Sequence, residues 1–116
     1  MQENTWATNK AAAPGIGAVL ADSGPLPAGL YDFQIHLVCS DTPAPGRGMV
    51  IEHRNAANAA TLKDLGGAVP ETAVDLYIKN YRLALNERVR IIAGTAAGIA
   101  ASMYVSAIGT QRTGAE

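Results

Sequence analysis

The stretch Gly29–Ser40 restricts what this chain can fold into more than any other. Large apolar side chains occupy every second position, and polar ones stand between them. The apolar set is Tyr31, Phe33, Ile35, Leu37 and Cys39, and the polar set includes Asp32, Gln34 and His36. Because successive side chains of a strand point to opposite faces, this pattern predicts a strand with one buried and one solvent-facing side. Prolines and glycines flank the stretch, so its ends are predicted as well.

The same two-residue period recurs along the chain between Gly, Pro and Asn clusters. Further strands are predicted over residues 16–22, 49–55, 73–79, 81–85, 88–93 and 99–108. Gly66-Gly67 is expected to interrupt the chain, and Asn86-Glu87 is expected to form a tight turn. Nothing has the period of a long amphipathic helix. The pattern predicts an all-β, antiparallel β-sandwich or barrel of about seven or eight short strands.

One segment, Asn55–Leu65, is ambiguous. Its alanines favour a short helix, whereas Asn55 and Asn58 suit a turn that leads into a strand. We favour the strand, and both structures remain open from the sequence.

The chain of 116 residues suits one domain. Residues 1–15 lack a period and are predicted to be a flexible N-terminal arm. Residues 16–110 are assigned to the β-sandwich domain, and residues 111–116 are assigned to a polar tail. Hydrophobic residues make up 48% of the chain but aromatic residues only 5%, which indicates a thin aliphatic core and favours further stabilisation by an oligomer or a partner.

Charge and cysteine content exclude several classes of protein. The formal net charge is −1, so there is no overall electrostatic basis for binding nucleic acid or an anionic membrane. No stretch approaches the length of a membrane span. Cys39 is the only cysteine, which excludes an intrachain disulfide, and its place on the apolar side of a strand predicts a buried thiol.

The polar residues form no recognisable catalytic, cofactor or metal motif. His36 and His53 are the only histidines, and the His-x-His pattern of metal-binding cupins is absent. There is no Gly-x-Ser-x-Gly nucleophile elbow and no phosphate-binding loop. We therefore predict no catalytic residues, no cofactor, no metal and no enzymatic activity. The cations Lys79, Arg82, Arg88 and Arg90 are predicted to form either a solvated face or a patch that meets an acidic partner.

Three segments carry a resemblance to a known fold. Pro27-Ala28-Gly29-Leu30-Tyr31-Asp32-Phe33, the pair Leu83-Ala84-Leu85-Asn86-Glu87-Arg88-Val89-Arg90-Ile91 and the final strand Ala101-Ser102-Met103-Tyr104-Val105 resemble the strands of C1q-like and tumour-necrosis-factor-like jelly rolls. Within that fold, the small size, the many small residues and the N-terminal arm are similar to the head decoration (cement) proteins of tailed bacteriophages.

The resemblance implies a structural virion protein. Such a protein binds the major capsid protein on the outside of the capsid as a homodimer or homotrimer, after synthesis in the host cytoplasm, and needs neither nucleic acid nor a membrane. The residues expected to contact the capsid or another subunit are chosen by their position on the arm, at loop tips and among the cations. They are Trp6, Pro43, Pro45, Arg47, Gly67, Val69, Arg82 and Arg88.

The alternative is a ligand- or glycan-binding jelly-roll module, either receptor-binding or lectin-like. Such a module needs a concave face with aromatic rings for stacking. The candidates are Tyr31, Tyr77, Tyr81 and Tyr104, of which Tyr31 and Tyr81 are predicted to face inward.

Overall fold

The computed structural model describes residues 2–7, 11–12, 17–39, 48–68, 72–94 and 102–112. These residues form nine strands and no helix: β1 (Gln2–Ala7), β2 (Ala11–Ala12), β3 (Val19–Asp22), β4 (Gly29–Cys39), β5 (Met49–Arg54), β6 (Thr61–Ala68), β7 (Thr72–Leu83), β8 (Arg88–Ala93) and β9 (Ser102–Gln111). No helix among them is long and apolar enough to cross a membrane. The predicted antiparallel β-sandwich is confirmed.

Two antiparallel sheets make up the sandwich. The five-stranded sheet has the order β1-β9-β4-β7, and β2 also pairs with β9. The four-stranded sheet has the order β3-β8-β5-β6. Four of the strand pairs are nested along the chain: β5 pairs with β6, β4 with β7, β3 with β8 and β1 with β9.

The core lies between the sheets and is built by the alternation that the sequence predicts. In β4 the side chains of Tyr31, Phe33, Ile35 and Leu37 are buried, with Phe33 and Leu37 at 0% exposure. The rings of Tyr31 and Phe33 stack with their centroids 5.7 Å apart, and Phe33 also contacts Tyr81, at 6.4 Å. The four-stranded sheet contributes the other half of the core: Met49, Ile51, Val89, Ile91 and Ala93.

The segments predicted over residues 73–79 and 81–85 are one strand, β7, which contains a β-bulge. Tyr31 pairs with Tyr81 and Phe33 pairs with Ile78, so Asp32 alone opposes two residues of β7. Asn80 takes a φ of 56° there, and its N–H donates to Asp32 Oδ1 at 3.0 Å. The extra residue reverses which positions of β7 point inward. The apolar side chains before the bulge and those after it therefore both face the core. Leu85, the last residue of the strand predicted over residues 81–85, is 64% exposed because it lies beyond β7 in the turn.

The ambiguous segment divides into a turn and a strand. Asn55–Ala60 makes turns and bends, and β6 begins at Thr61, so the helix does not form. The prediction that Gly66-Gly67 interrupts the chain is wrong, because β6 continues through both glycines to Ala68. Gly66 takes a φ of 120° beside a bulge at Leu65, where the register with β5 shifts.

The predicted terminal segments need two corrections. Gln2–Ala7, within the segment assigned to a flexible arm, forms β1 and pairs with β9. Gln111, assigned to the polar tail, is the last residue of β9 and is buried. Its side chain donates from Nε2 to the carbonyl oxygen of Ala28 at 3.0 Å. Both corrections have one cause: β9 is a long strand whose backbone groups find partners on β1 and β4 along its length.

Candidate functional site

A groove of about 350 Å³ lies on the outer face of the five-stranded sheet. Three adjacent strands, β7, β4 and β9, supply its side chains in two parallel rows. One row is Asp75, His36 and Ser106, and the other is Tyr77, Gln34 and Ile108. All six come from positions that alternate with buried core residues, so the strand periodicity that builds the core also builds this face. We call it the outer groove.

The first row contains a short polar contact between two exposed side chains. His36 Nδ1 and Asp75 Oδ1 are 2.6 Å apart, and their side chains are 43% and 86% exposed. Because an ionised carboxylate only accepts hydrogen bonds, the pairing assigns the Nδ1 proton to the imidazole. The second ring nitrogen, Nε2, then offers a lone pair in the neutral ring. Ser106 lies exposed on the other side of His36.

The second row contains the aromatic residue of the outer groove. Tyr77 is 55% exposed, and the Lys79 ammonium lies 5.0 Å from its ring centroid. A cation over the ring restrains it without covering its other face. Gln34 is exposed in the middle of the row, and Ile108 is half-buried at the far end. This row therefore combines a ring face, an amide and an aliphatic side chain.

The order Asp75, His36, Ser106 matches the chemical order of a hydrolase triad, but its surroundings differ from those of a hydrolase. A triad needs backbone N–H donors aimed at the developing oxyanion. Here His36 lies in a strand that is paired on both sides, so the neighbouring backbone N–H groups belong to sheet ladders. The geometry fits hydrogen bonding to a ligand better than acyl transfer.

The outer face of the four-stranded sheet has a different character. Val19 pairs with Ile92, which pairs with Val50, so three aliphatic side chains cross three strands in what we call the apolar row. Val19 is 52% exposed. The next row is charged and contains Asp22, Arg90, Glu52 and Asp64, of which Arg90 Nε donates to Glu52 Oε1 at 2.8 Å. The result is an apolar strip beside a charged strip.

A buried polar cluster links the two sheets at the β7–β8 turn. His53, which is 8% exposed, donates from Nε2 to Glu87 Oε1 at 2.8 Å. Its Nδ1 then accepts from the Tyr81 hydroxyl at 2.7 Å. A hydrogen bond from the Ala84 N–H, assisted by His53, holds the pKa of Glu87 below its ordinary value against the opposing effect of burial. Burial, with a smaller contribution from the charge of Glu87, raises the pKa of Tyr81.

Sequence reasoning found no metal motif at the two histidines, and it missed this cluster. The signal was present, since His53 continues the inward positions of Met49 and Ile51 at the same two-residue spacing. Its partners come from β7 and the following turn, which only the fold brings near. In the part of the chain that the structure describes, no group of three or more His, Cys, Asp or Glu side chains is arranged to hold a metal ion.

The predicted contact residues are spread over the molecule. Trp6 lies in β1 opposite Ala107, and Gly67 lies in β6 against β5. Pro43, Pro45, Arg47 and Val69 fall outside the described residues. Arg82 is exposed on the five-stranded sheet, whereas Arg88 is half-buried on the four-stranded sheet and pairs with Asp22 at 3.3 Å.

The predicted basic cluster is therefore not one patch. Lys79 and Arg82 belong to β7, and Arg88 and Arg90 belong to β8, on the other sheet. Both cations of β8 are paired with carboxylates. Of the predicted tyrosines, Tyr31 is buried as expected and Tyr81 packs against the core, while Tyr77 and Tyr104 face outward.

Comparison of the chain with models of known protein families and with curated proteins gave no match.

Proposed function

We propose that this protein is a structural virion protein that binds the outside of a capsid lattice and stabilises the head, as the decoration (cement) proteins of tailed bacteriophages do. Its partner is the major capsid protein, and it acts as a homodimer or homotrimer on the capsid surface after synthesis in the host cytoplasm. Its action is contact, without catalysis or a cofactor.

The nested strand order supports a jelly-roll type of sandwich. A jelly roll places eight strands in two sheets. Leaving aside the two-residue β2, eight strands pair here as β1 with β9, β3 with β8, β4 with β7 and β5 with β6, and the pairs alternate between the sheets. This order agrees with the resemblance from which the decoration function is inferred.

The observation that carries the proposal is the apolar row on the four-stranded sheet. Protein interfaces have an apolar centre and a polar rim. Val19, Ile92 and Val50 supply such a centre, and the row that contains Arg90 and Glu52 supplies a charged rim. A weak contact of this kind becomes effective when an oligomer repeats it over a lattice.

The experiment pairs the purified protein with expanded heads assembled from the major capsid protein encoded nearest to it. We expect co-sedimentation at micromolar concentration. The substitution Val19→Asp places a charge in the apolar row, and we expect it to weaken binding about tenfold. Leu62→Asp is the matched control, because Leu62 is 53% exposed, close to the 52% of Val19, but lies outside the row on β6.

Three results would overturn the proposal. The first is a lack of co-sedimentation with correctly folded protein, and the second is the absence of any capsid gene in the neighbourhood. The third is equal loss of binding in both variants, which would remove the apolar row as the contact surface.

A further inference from the structure

We infer that the outer groove is a binding site for one unit of a neutral saccharide. This goes beyond the capsid contact proposed above, since the groove and the apolar row lie on different sheets and face away from each other. The argument rests on the size of the groove, its hydrogen-bonding groups and its charge balance.

The dimensions suit a single sugar ring. The two rows cross three adjacent strands, which are spaced about 4.8 Å apart, so each row is about 10 Å long. The rows are two residues apart along β4, or about 7 Å. The volume of about 350 Å³ lies at the lower end of the range for small-ligand sites.

The chemistry suits hydroxyl groups. Gln34 offers both a donor and an acceptor, Ser106 offers a hydroxyl, and the His36–Asp75 pair offers Nε2 and a second carboxylate oxygen. These donors and acceptors lie within an area the size of one sugar ring. They can hydrogen-bond to a ligand that carries a hydroxyl on most of its carbons. Tyr77 adds a ring face against which the C–H face of a sugar packs.

The charge balance argues against ionic ligands. Asp75 is the only formally charged acid in the lining and is bonded to His36, while the Lys79 ammonium lies over Tyr77. A phosphate needs more than one cation, and a cationic ligand needs a carboxylate that is not already paired. An extended peptide that adds a strand would pair along the edge of the sheet at β7, whereas the outer groove lies across the face of β7, β4 and β9, so such a peptide would not occupy the groove.

The test uses the free protein, without capsids, so its outcome is independent of the capsid proposal. The ¹H–¹⁵N spectrum is followed during titration with glucose, galactose, mannose and N-acetylglucosamine at millimolar concentrations, and the labelled protein is applied to a glycan array. We expect saturable shifts, with at least one sugar, at the amides of residues 34–36, 75–77 and 106–108. We also expect array binding to glycans that contain that sugar.

Two tyrosines form a matched pair of variants. Tyr77→Ala removes the ring of the groove, and we expect it to weaken binding about tenfold. Tyr104 is also an exposed tyrosine on the same sheet, at 48% against 55%, but it does not line the groove, so Tyr104→Ala is expected to bind normally. His36→Gln is expected to weaken binding while leaving the fold intact.

Three outcomes would reject the site. They are a complete lack of shifts and array binding, shifts confined to other parts of the protein, and equal weakening by Tyr77→Ala and Tyr104→Ala. Since both tyrosines are on the surface, neither substitution is expected to unfold the protein, and the unchanged spectrum of the remaining residues checks this.

Discussion

Gly67 lies in β6 opposite Val50 of β5. A Cβ atom at this position would clash with the carbonyl oxygen of Met49, and that oxygen belongs to a paired strand that cannot move aside freely. The glycine therefore has a packing role. The sequence had suggested a different role, contact with a partner from the tip of a loop. A glycine that packs in this way could still lie in such a contact.

Gly67→Ala is expected to destabilise the protein by about 2–3 kcal/mol, because the backbone of two paired strands must separate. Gly24→Ala is the comparison. Gly24 has open space around it but a φ of 73°, so its substitution is expected to cost about 1 kcal/mol of backbone strain. Urea denaturation measures both. Equal losses would show that steric contact with Met49 is unimportant.

Glu87 makes stability depend on pH at the acid end. Its pKa is lower in the folded protein than the ordinary value of 4.5, because the carboxylate accepts from Ala84 and His53. The stabilisation is therefore present above the ordinary pKa and is lost as the pH falls through the folded pKa.

Glu87→Gln is expected to lower the free energy of unfolding by about 1–2 kcal/mol at neutral pH, since a neutral amide accepts weaker hydrogen bonds. The difference between variant and wild type should shrink as the pH falls below the ordinary value of 4.5. Urea denaturation at a series of pH values measures it. A difference that stays constant down to the acid limit would contradict this account.

At the scale of a single element, the bulge in β7 decides which side chains reach the core. Val74, Leu76 and Ile78 pack against the core before it, and Tyr81 and Leu83 after it. Without the extra residue, one of these two sets would face solvent. The bulge is held by the Asn80 N–H bond to Asp32.

Deletion of Asn80 is expected to abolish cooperative folding. Exposing Tyr81 and Leu83 would cost about 1.5–3 kcal/mol for each side chain, and the two together approach the whole stability of a marginal small domain. Asn80→Gly, which keeps the bulge and suits its positive φ, is expected to fold normally. Circular dichroism during urea denaturation distinguishes the two. A deletion variant as stable as the wild type would mean that β7 can adjust its register elsewhere.

For the whole molecule, the nested pairing means that β1, at the start of the chain, pairs with the backbone groups along one edge of β9, near the end of the chain. β9 contacts β4 on its other side, so β1 and β2 complete the sheet. A β9 without these partners would present a long row of unpaired backbone groups.

Removal of residues 1–12 is expected to leave a folded sandwich that self-associates as its concentration rises. Sedimentation velocity measures the association, and circular dichroism checks the fold. Adding Tyr104→Lys to the truncated protein places a charge on β9 and should restore the monomer. If the truncated protein stays monomeric at every concentration, β1 does not shield this edge.

Much of the fold was predictable because burial in a strand repeats every two residues. The alternation of Tyr31, Phe33, Ile35 and Leu37 predicted β4, and the same reasoning predicted β8 within its bounds. The bulges were not predictable, because an inserted residue such as Asn80 looks like a break between two strands until its partner strand is known. The outer groove was not predictable either, since its rows join residues 34 and 36 with residues 75, 77, 106 and 108.

Local patterns in the sequence were enough to predict the all-β class, the inward face of most strands and the position of the β7–β8 turn, because these depend on neighbours within a few residues. The tertiary structure alone decided the register of β4 against β7 and β9, the burial of His53 against Tyr81 and Glu87, and the pairing of His36 with Asp75. Each of these joins residues far apart in the chain. Their contacts are set by which backbone groups pair across the sheets, and local alternation carries no information about that.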